Sequence, residues 1–320
     1  MSLAFVFPGQ GSQAVAMLDS FASDASLQQL LKTADDALAE PLSELIAKGP
    51  AETLAQTVNT QPAMLLAGYV CFSAWRAAGG PEPVAVAGHS LGEYTALTAA
   101  GSLSLADAIK LVRTRAQAMQ SAVPLGTGGM AAILGLDDDA VRKACSDAAA
   151  LQPGWVVEAV NFNAPAQVVI AGHHAAVAQA CSNAKAAGAK RALTLAVSAP
   201  FHCSLLRPAG DQLQQDLQRR DLKSPRYPLV NNVDAKVQTE PSLIKDALVR
   251  QSYSAVRWVE VVQQLSKLGV THFIEFGPGK VLTGLVPRID KSLRASAVYD
   301  ANSLQTVLAA VRNEATGAKA

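Results

Sequence analysis

The sequence has few charged residues and almost no imbalance between the two signs. Of its 320 residues, 27 are Lys or Arg and 26 are Asp or Glu, which gives a formal net charge of +1. A chain this close to neutrality has no broad electrostatic attraction for nucleic acid or for an anionic membrane surface. We therefore expect neither as a partner.

Cysteine and histidine are also scarce. The four cysteines, Cys71, Cys145, Cys181 and Cys203, include no Cys-x-x-Cys pair, and there are five histidines. Such a supply is not typical of a disulfide-stapled secreted domain, and it offers no metal-ligand spacing. We expect reduced cysteines, no metal site and no cofactor.

Long hydrophobic runs are missing as well. No apolar run approaches the roughly 20 residues that span a bilayer. Met1-Ser2-Leu3 leads directly into an apolar segment, without the basic start of a secretory signal. The expectation is a cytoplasmic protein with no membrane contact.

What the chain does contain is a large supply of apolar residues in short runs. Half of its residues are hydrophobic, which is enough to bury a sizeable core. Leu3–Phe7 stops at Pro8-Gly9, and His272–Phe276 stops at Gly277-Pro278-Gly279, as buried strands do where they enter tight loops. Helix-like stretches lie between such runs. The alternation favours an α/β fold with a largely parallel sheet.

Residues 126–197 have a rhythm of their own after the glycine-rich segment 124–129. The pattern predicts strand 130–136, helix 137–150, strands 156–162 and 167–171, helix 174–187 and strand 192–197. This β-α-β-β-α-β order is typical of a ferredoxin-like unit. We predict a small subdomain at 126–197, inserted into a large subdomain made of residues 1–125 and 198–320.

A nucleophile elbow is predicted at Gly88-His89-Ser90-Leu91-Gly92, which matches the pattern G-x-S-x-G. The serine of an elbow lies on a sharp turn from strand to helix, and a side chain two residues away on either side would clash. A strand-like run, 84–87, precedes the motif, and an Ala-rich helical stretch follows it. We favour Ser90 as a nucleophile. The alternative is a glycine-rich turn that carries an exposed serine.

A serine nucleophile needs a base, and five histidines compete for the role. His202 is favoured because it lies where the small subdomain returns to the large one, and ligand clefts are common at such junctions. A histidine that merely bonds to local backbone is the alternative. The others fit less well: His89 adjoins the serine, His173 and His174 start a helix, and His272 is expected to face outward from a strand. No carboxylate between residues 90 and 202 offers itself as a third member, so a backbone carbonyl or an amide is expected to orient the imidazole.

Several separated motifs occur together in one order. They are Phe7-Pro8-Gly9-Gln10-Gly11-Ser12-Gln13, Gly88-His89-Ser90-Leu91-Gly92-Glu93-Tyr94, Arg115, Pro200-Phe201-His202-Cys203, Asn231-Asn232-Val233, Gln251 and Glu275-Phe276-Gly277-Pro278-Gly279. With this combination the sequence resembles the malonyl-CoA:acyl carrier protein transacylases of type II fatty acid synthesis, from residue 3 to about residue 290. The resemblance implies an α/β-hydrolase-like core with an inserted ferredoxin-like subdomain.

The resemblance also implies roles for single residues in the reaction. Ser90 matches the serine that is acylated, and His202 matches its base. Gln251 matches the residue whose main-chain carbonyl orients the histidine, so a Ser–His pair would need no acid. Gln10 and Leu91 match the two positions whose main-chain N–H groups form the oxyanion hole.

Substrate recognition is the second set of roles that the resemblance implies. Arg115 matches the arginine that pairs with the malonyl carboxylate; Arg113, two residues away on the predicted helix, faces another side and is expected to be solvated. Phe201 resembles the bulky residue that leaves no room for an α-methyl group. Asn161 and Asn163 are expected to contact the pantetheine arm.

The expected activity is malonyl transfer from malonyl-CoA to acyl carrier protein through a malonyl-Ser90 ester, by a ping-pong mechanism, for fatty acid biosynthesis. The protein is expected to be a monomer. Basic side chains should receive the acidic carrier: Lys190, Arg191, Arg207, Lys280 and Arg288. Two other functions stay open, a serine hydrolase or thioesterase on the same core and a non-catalytic protein that binds the carrier.

Overall fold

The computed structural model describes residues 2–315, so Met1 and residues 316–320 of the predicted large subdomain lie outside the described residues. The described residues form ten strands and thirteen α-helices. The strands are β1 Leu3–Phe7, β2 Ala85–Gly88, β3 Gly128–Leu134, β4 Val157–Ala164, β5 Gln167–His173, β6 Arg191–Leu195, β7 Leu229–Val230, β8 Val237–Gln238, β9 His272–Phe276 and β10 Arg294–Val298. The helices are α1 Ala25–Leu38, α2 Leu42–Lys48, α3 Ala51–Leu54, α4 Thr57–Ala77, α5 Gly92–Ala99, α6 Leu105–Ser121, α7 Asp138–Ala149, α8 His174–Ala186, α9 Arg207–Gln218, α10 Pro241–Gln251, α11 Trp258–Lys267, α12 Val281–Ile289 and α13 Ala301–Ala315.

The first sheet has the strand order β10-β9-β1-β2-β7-β8. All its neighbours pair in parallel except β7 and β8, which confirms the predicted largely parallel sheet. Every residue of β1 and of β9 is buried, as expected for strands that are covered on both faces. The outward-facing position predicted for His272 is therefore wrong, and its Nε2 lies 2.9 Å from Ser296 Oγ on the neighbouring strand β10.

The second sheet is antiparallel, with the order β4-β5-β3-β6. Helices α7 and α8 pack on it around a separate apolar cluster that includes Ile133, Val168 and Ile170. Along the chain the elements run β3-α7-β4-β5-α8-β6, which is the predicted β-α-β-β-α-β order. We retain residues 126–197 as the proposed extent of a small subdomain.

Helix α4 contains a proline within its length. Pro41 and Pro50 lie between helices, whereas Pro62 lies inside α4 and does not end it. The missing N–H of Pro62 costs one hydrogen bond to the preceding turn. The helix continues because most of its residues from Thr60 to Trp75 are buried, and tertiary packing overrides a local preference. No helix among residues 2–315 is both long and apolar enough to cross a bilayer.

The carboxyl ends of the parallel strands converge at one edge of the first sheet. Phe7 at the end of β1 pairs with Gly88 at the end of β2, so the loop that begins at Pro8 lies beside the predicted elbow. Strand β7 pairs with β2 on its other side and brings Asn232 to the same edge. Ligands of open parallel sheets bind at this edge.

Candidate active site

Ser90 occupies a strained turn between β2 and α5. Its φ is +51°, a left-handed conformation that a residue with a side chain rarely adopts. A Cβ atom on Gly88 would lie 1.9 Å from the carbonyl carbon of Gly92, and one on Gly92 would lie 2.0 Å from the Phe7 carbonyl oxygen. Both glycines are therefore required by contact, and the turn presents the Ser90 hydroxyl at the sheet edge.

The imidazole of His202 reaches this hydroxyl. Ser90 Oγ lies 2.7 Å from His202 Nε2, and His202 Nδ1 lies 2.8 Å from the main-chain oxygen of Gln251. Because a carbonyl oxygen only accepts, the Nδ1–H donates to Gln251 and Nε2 is left with a lone pair for the serine proton. A backbone carbonyl at the end of α10 thus takes the orienting place that a carboxylate has in a catalytic triad.

His202 is held in its neutral form. Burial, and after it the charge of Arg115, lowers the pKa of His202 to about 3, although the hydrogen bond to the Gln251 carbonyl acts in the opposite direction. An imidazole with this pKa carries no proton at neutral pH, so it is free to accept one from Ser90.

The remaining histidines do not contact the serine hydroxyl. His89 turns away, as adjacent side chains on an elbow do, and its Nε2 lies 2.8 Å from Asn163 Oδ1. His173 precedes α8 and accepts the Val156 N–H through Nδ1. His174 is the first residue of α8 and lines a neighbouring cleft.

Arg115 brings a buried positive charge to the same hydroxyl. It projects from α6 and is 2% exposed. Its Nη2 donates to Ser90 Oγ at 3.1 Å and to Gln251 Oε1 at 3.0 Å, and its Nη1 donates to Gln61 Oε1 at 2.8 Å. None of these acceptors carries a charge. The guanidinium therefore has no anionic acceptor among its hydrogen-bond partners.

Arg113 faces a different side of α6 from Arg115, as the helical spacing predicts, but it is not solvated. Its side chain is 14% exposed and forms an ion pair with Glu40, with Nη1 2.8 Å from a carboxylate oxygen. The expectation of a solvated Arg113 is wrong because helix α1 covers that side of α6.

Gln10 and Leu91 lie on the two loops that meet at the elbow. Leu91 immediately precedes α5, where main-chain N–H groups have no acceptor within the helix. The loop that contains Gln10 packs closely on the elbow, since a Cβ on Gly9 would lie 2.9 Å from the His89 carbonyl oxygen. The two loops are thus in contact, and a shared oxyanion hole of the Gln10 and Leu91 N–H groups stays a prediction.

A cleft of about 1120 Å³ opens beside this loop. Gln10 and Thr57 line one side of the cleft, and His174 and Ser198 line the other side. Thr57 Oγ1 and Ser198 Oγ lie 3.1 Å apart and bridge the two sides. Its volume suits an extended ligand, and it reaches the loop of Gln10, whereas Ser90, Arg115 and His202 are not among the residues that line it.

The three other predicted binding residues, Asn161, Asn163 and Phe201, have different surroundings. Asn163 is brought to the elbow through its contact with His89. Asn161 pairs with Val256 at the start of a connection to the first sheet, and its Oδ1 is buried without a hydrogen-bond partner. Phe201 is buried in an apolar cluster next to His202.

Three residues to which sequence reasoning assigned no role contribute to the site: Gln61, Glu93 and Asn232. Gln61 accepts from Arg115, Asn232 Oδ1 accepts the Ser90 N–H at 2.6 Å, and Glu93 accepts from both Asn232 and Gln251. The sequence offered one signal for Glu93, because a carboxylate within an Ala-rich apolar helix is unusual. For Asn232 the signal was its position just after a strand of the parallel sheet.

Within residues 2–315, no group of three or more His, Cys, Asp or Glu side chains is arranged so that it could hold a metal ion.

Comparison with known proteins places this arrangement in a family. The model of the acyl transferase domain matches residues 4–316. The malonyl CoA-acyl carrier protein transacylase of Escherichia coli K12 is 51% identical over 306 residues, which are 95% of this chain and 98% of that protein. The transacylase of Bacillus subtilis is 42% identical, over 98% of each chain.

Solved structures agree in fold over almost the whole chain. An acyl-carrier-protein S-malonyltransferase from Burkholderia pseudomallei is 59% identical, with a TM-score of 0.94 over 97% of this chain and 100% of the other. A malonyl-transacylase in complex with a type II PKS acyl-carrier protein is 47% identical, with a TM-score of 0.94 over the same shares. These likenesses confirm the predicted mixed α/β fold.

Proposed function

The chain belongs to the acyl transferase domain family, and we propose that it carries a malonyl group from malonyl-CoA to the phosphopantetheine thiol of acyl carrier protein. Its relatives of 42–51% identity are named for this reaction. The observation that carries the proposal is the convergence on Ser90 Oγ, with His202 Nε2 at 2.7 Å and Arg115 Nη2 at 3.1 Å. A base and a buried cation thus serve one strained hydroxyl.

The first half of the reaction acylates the serine. His202 Nε2 takes the Ser90 proton while Oγ attacks the thioester carbonyl, and the negative oxygen is stabilised by the N–H groups of Gln10 and Leu91. When the tetrahedral intermediate collapses, the carbon–sulfur bond breaks. The proton on His202 then passes to the departing thiolate of coenzyme A, and a malonyl-Ser90 ester remains.

The second half reverses these steps with a new thiol. The thiol of the carrier's phosphopantetheine gives its proton to His202, and the sulfur attacks the ester carbonyl. The carbon–oxygen bond then breaks, and His202 returns the proton to Ser90 Oγ. One thioester is consumed and one is formed, so the reaction needs no cofactor and follows ping-pong kinetics.

Arg115 explains why the acyl group is malonyl. A carboxylate separated from the reacting carbonyl by one methylene group can pair with the guanidinium next to Ser90, through charge-assisted hydrogen bonds. A neutral acyl group leaves the buried charge without its partner. The apolar packing around Phe201 limits the space beside the α-carbon and favours malonyl over methylmalonyl.

The acidic carrier approaches a surface where several basic side chains are exposed. Lys190 and Arg191 lie at the start of β6, whose end contributes to the cleft. Arg207 lies over the ring of Tyr253, near His202 in sequence, and Lys280 lies over Tyr299. We include Arg288, which donates to Gln167 at the start of β5. The enzyme is proposed to act as a cytoplasmic monomer in fatty acid biosynthesis.

Mass spectrometry of the carrier protein tests the proposal. Purified enzyme is incubated with malonyl-CoA and phosphopantetheinylated carrier, and both malonyl-carrier and free malonate are measured. The wild type and a control Ser292→Ala, at an exposed turn, should form malonyl-carrier, whereas Ser90→Ala should form none. Free malonate as the main product would identify a hydrolase instead. Unchanged transfer by Ser90→Ala would refute the assigned nucleophile.

A further inference from the structure

Beneath the reacting groups lies a buried carboxyl group that the mechanism does not use. Glu93 is the second residue of α5 and is fully buried. Its Oε2 accepts the Asn232 main-chain N–H at 2.9 Å and the Gln251 Nε2 at 2.9 Å, while its Oε1 has no hydrogen-bond partner. Burial of a carboxylate costs free energy unless hydrogen bonds or an opposite charge offset the loss of water.

We propose that Glu93 is a positioning residue for acyl transfer, which acts by fixing the side chain of Gln251 and the main chain of Asn232. This inference rests on the proposed function. Glu93 touches neither substrate nor the serine hydroxyl.

The first route from Glu93 runs through the Gln251 amide. That amide donates through Nε2 to Glu93 and to the Ser90 main-chain oxygen at 3.1 Å, and its Oε1 accepts from Arg115 at 3.0 Å. A carboxylate only accepts and a guanidinium only donates. If the amide were flipped, its oxygen would face the carboxylate and its NH₂ group would face the guanidinium. Glu93 therefore selects the orientation in which Gln251 can hold Arg115.

The same residue also orients the base. The Gln251 main-chain oxygen accepts from His202 Nδ1 at 2.8 Å, so a Gln251 fixed at its side chain is fixed at its carbonyl as well. One glutamine thus links Glu93 to both partners of the serine hydroxyl.

The second route runs through Asn232 to the strained turn. Glu93 accepts the Asn232 N–H, the Asn232 Oδ1 accepts the Ser90 N–H at 2.6 Å, and the Asn232 Nδ2 donates to the Gly88 oxygen at 2.5 Å. These bonds span the elbow from Gly88 to Ser90. They hold a residue with φ of +51° in a conformation that its own side chain disfavours.

The negative charge of Glu93 contributes in addition to its hydrogen bonds. Ionised Glu93 is the carboxylate that faces the Arg115 guanidinium across the Gln251 amide, and it favours the imidazolium that forms on His202 during proton transfer. Burial raises the pKa of Glu93 to about 7, while its hydrogen bonds from Gln251 and Asn232 and the charge of Arg115 act in the opposite direction. Asp234 is the other acidic group that acts on it, and Asp234 is itself paired with Arg250 at 2.8 Å.

The pH dependence of turnover follows from this charge. Glu93 is ionised above a pH of about 7 and protonated below it. We expect kcat to fall as the pH drops through this value. His202 does not explain such a fall, because its own pKa lies at about 3.

The test compares kcat and KM of full-length Glu93→Gln with those of the wild type between pH 6 and pH 9, with active enzyme counted by a serine-reactive probe. The substituted amide keeps an acceptor oxygen but loses the charge. We expect kcat at high pH to fall roughly tenfold, because hydrogen bonds to a charged acceptor become weaker hydrogen bonds to a neutral one. KM for malonyl-CoA should change little, and the fall near pH 7 should be absent.

Two further variants keep the test decisive. Glu93→Asp retains the charge but is too short to reach both partners, so it should keep the fall near pH 7 at a lower kcat. Glu275→Gln removes an equally buried carboxylate that bonds to Leu282 and Thr283, away from Ser90. It should lower Tm and keep the wild-type pH profile.

The inference is overturned if Glu93→Gln, or Glu93→Asp should the first variant not fold, has the kcat and pH profile of the wild type. A wild-type enzyme that never forms the Ser90 ester would instead refute the proposed function. The two failures are therefore distinguishable.

Discussion

Replacement of Arg115 by alanine tests how the site selects its acyl group. The side chain is 2% exposed, and no ion pair among residues 2–315 includes it. Its three acceptors, Gln61, Gln251 and Ser90, are uncharged. The malonyl carboxylate is thus proposed as the anion in direct contact that the guanidinium lacks in the free protein.

The size of the effect follows from that burial. Loss of one member of a buried, hydrogen-bonded charge pair costs about 2–5 kcal/mol. This range corresponds to a fall of roughly 30- to 5000-fold in kcat/KM for malonyl-CoA. Acetyl-CoA has no carboxylate to lose, so its kcat/KM should fall far less or should rise. The ratio of the two values therefore isolates the charge pair from general damage.

The assay measures acyl transfer to carrier protein with malonyl-CoA and acetyl-CoA as alternative donors. Arg113→Ala is the matched control, because Arg113 lies on the same helix and pairs with Glu40 instead. It should leave the malonyl-to-acetyl ratio at the wild-type value. If Arg115→Ala lowered both donors equally, or left malonyl transfer unchanged, the role of the guanidinium would be wrong.

Three other predictions concern the frame of the site. Gly92→Ala should lower Tm strongly or prevent folding, because the new Cβ would lie 2.0 Å from the Phe7 carbonyl oxygen; a normal thermal melt would contradict the elbow geometry. As the pH falls from about 6.5 towards 3, the free energy of unfolding of the wild type should decrease relative to that of His202→Gln, because His202 binds a proton in the unfolded protein but not in the folded one. The same pH dependence of the two unfolding free energies, measured by urea denaturation, would contradict this prediction. Phe201→Ser should raise kcat/KM for methylmalonyl-CoA relative to malonyl-CoA by about tenfold, on the scale of one added methyl group, and an unaltered ratio would exclude Phe201 as the cause of selectivity.

Local features of this fold were predictable because neighbouring residues decide them. Strand β1 has the predicted bounds, since a fully buried run that ends at Pro8-Gly9 has few alternatives. Ser104 caps α6 by accepting the Asp107 N–H, and a serine directly before a helical run is a local signal for such a cap. The elbow was recognisable from its five-residue motif. A side chain at either of its two glycines would clash within the motif or with the adjoining strand.

Features that depend on distant residues were not predictable in this way. Glu93 resembles a solvated helix charge until Asn232 and Gln251, 139 and 158 residues away, are seen to bond to it. His272 was assigned to the surface because alternation along one strand does not reveal that β9 is buried throughout, with β10 beside it and helices α4 and α12 packed against it. Pairing of His202 with a main-chain oxygen leaves no trace in residue type, so family resemblance alone pointed to Gln251.

The central claim is a malonyl ester on Ser90, and intact-mass measurement of the enzyme after mixing with malonyl-CoA alone tests it most directly. We predict a gain of one malonyl unit, mapped by peptide analysis to Ser90, and its loss when carrier protein is added. An enzyme that transfers malonyl without any adduct, or with the adduct on another residue, would contradict the claim.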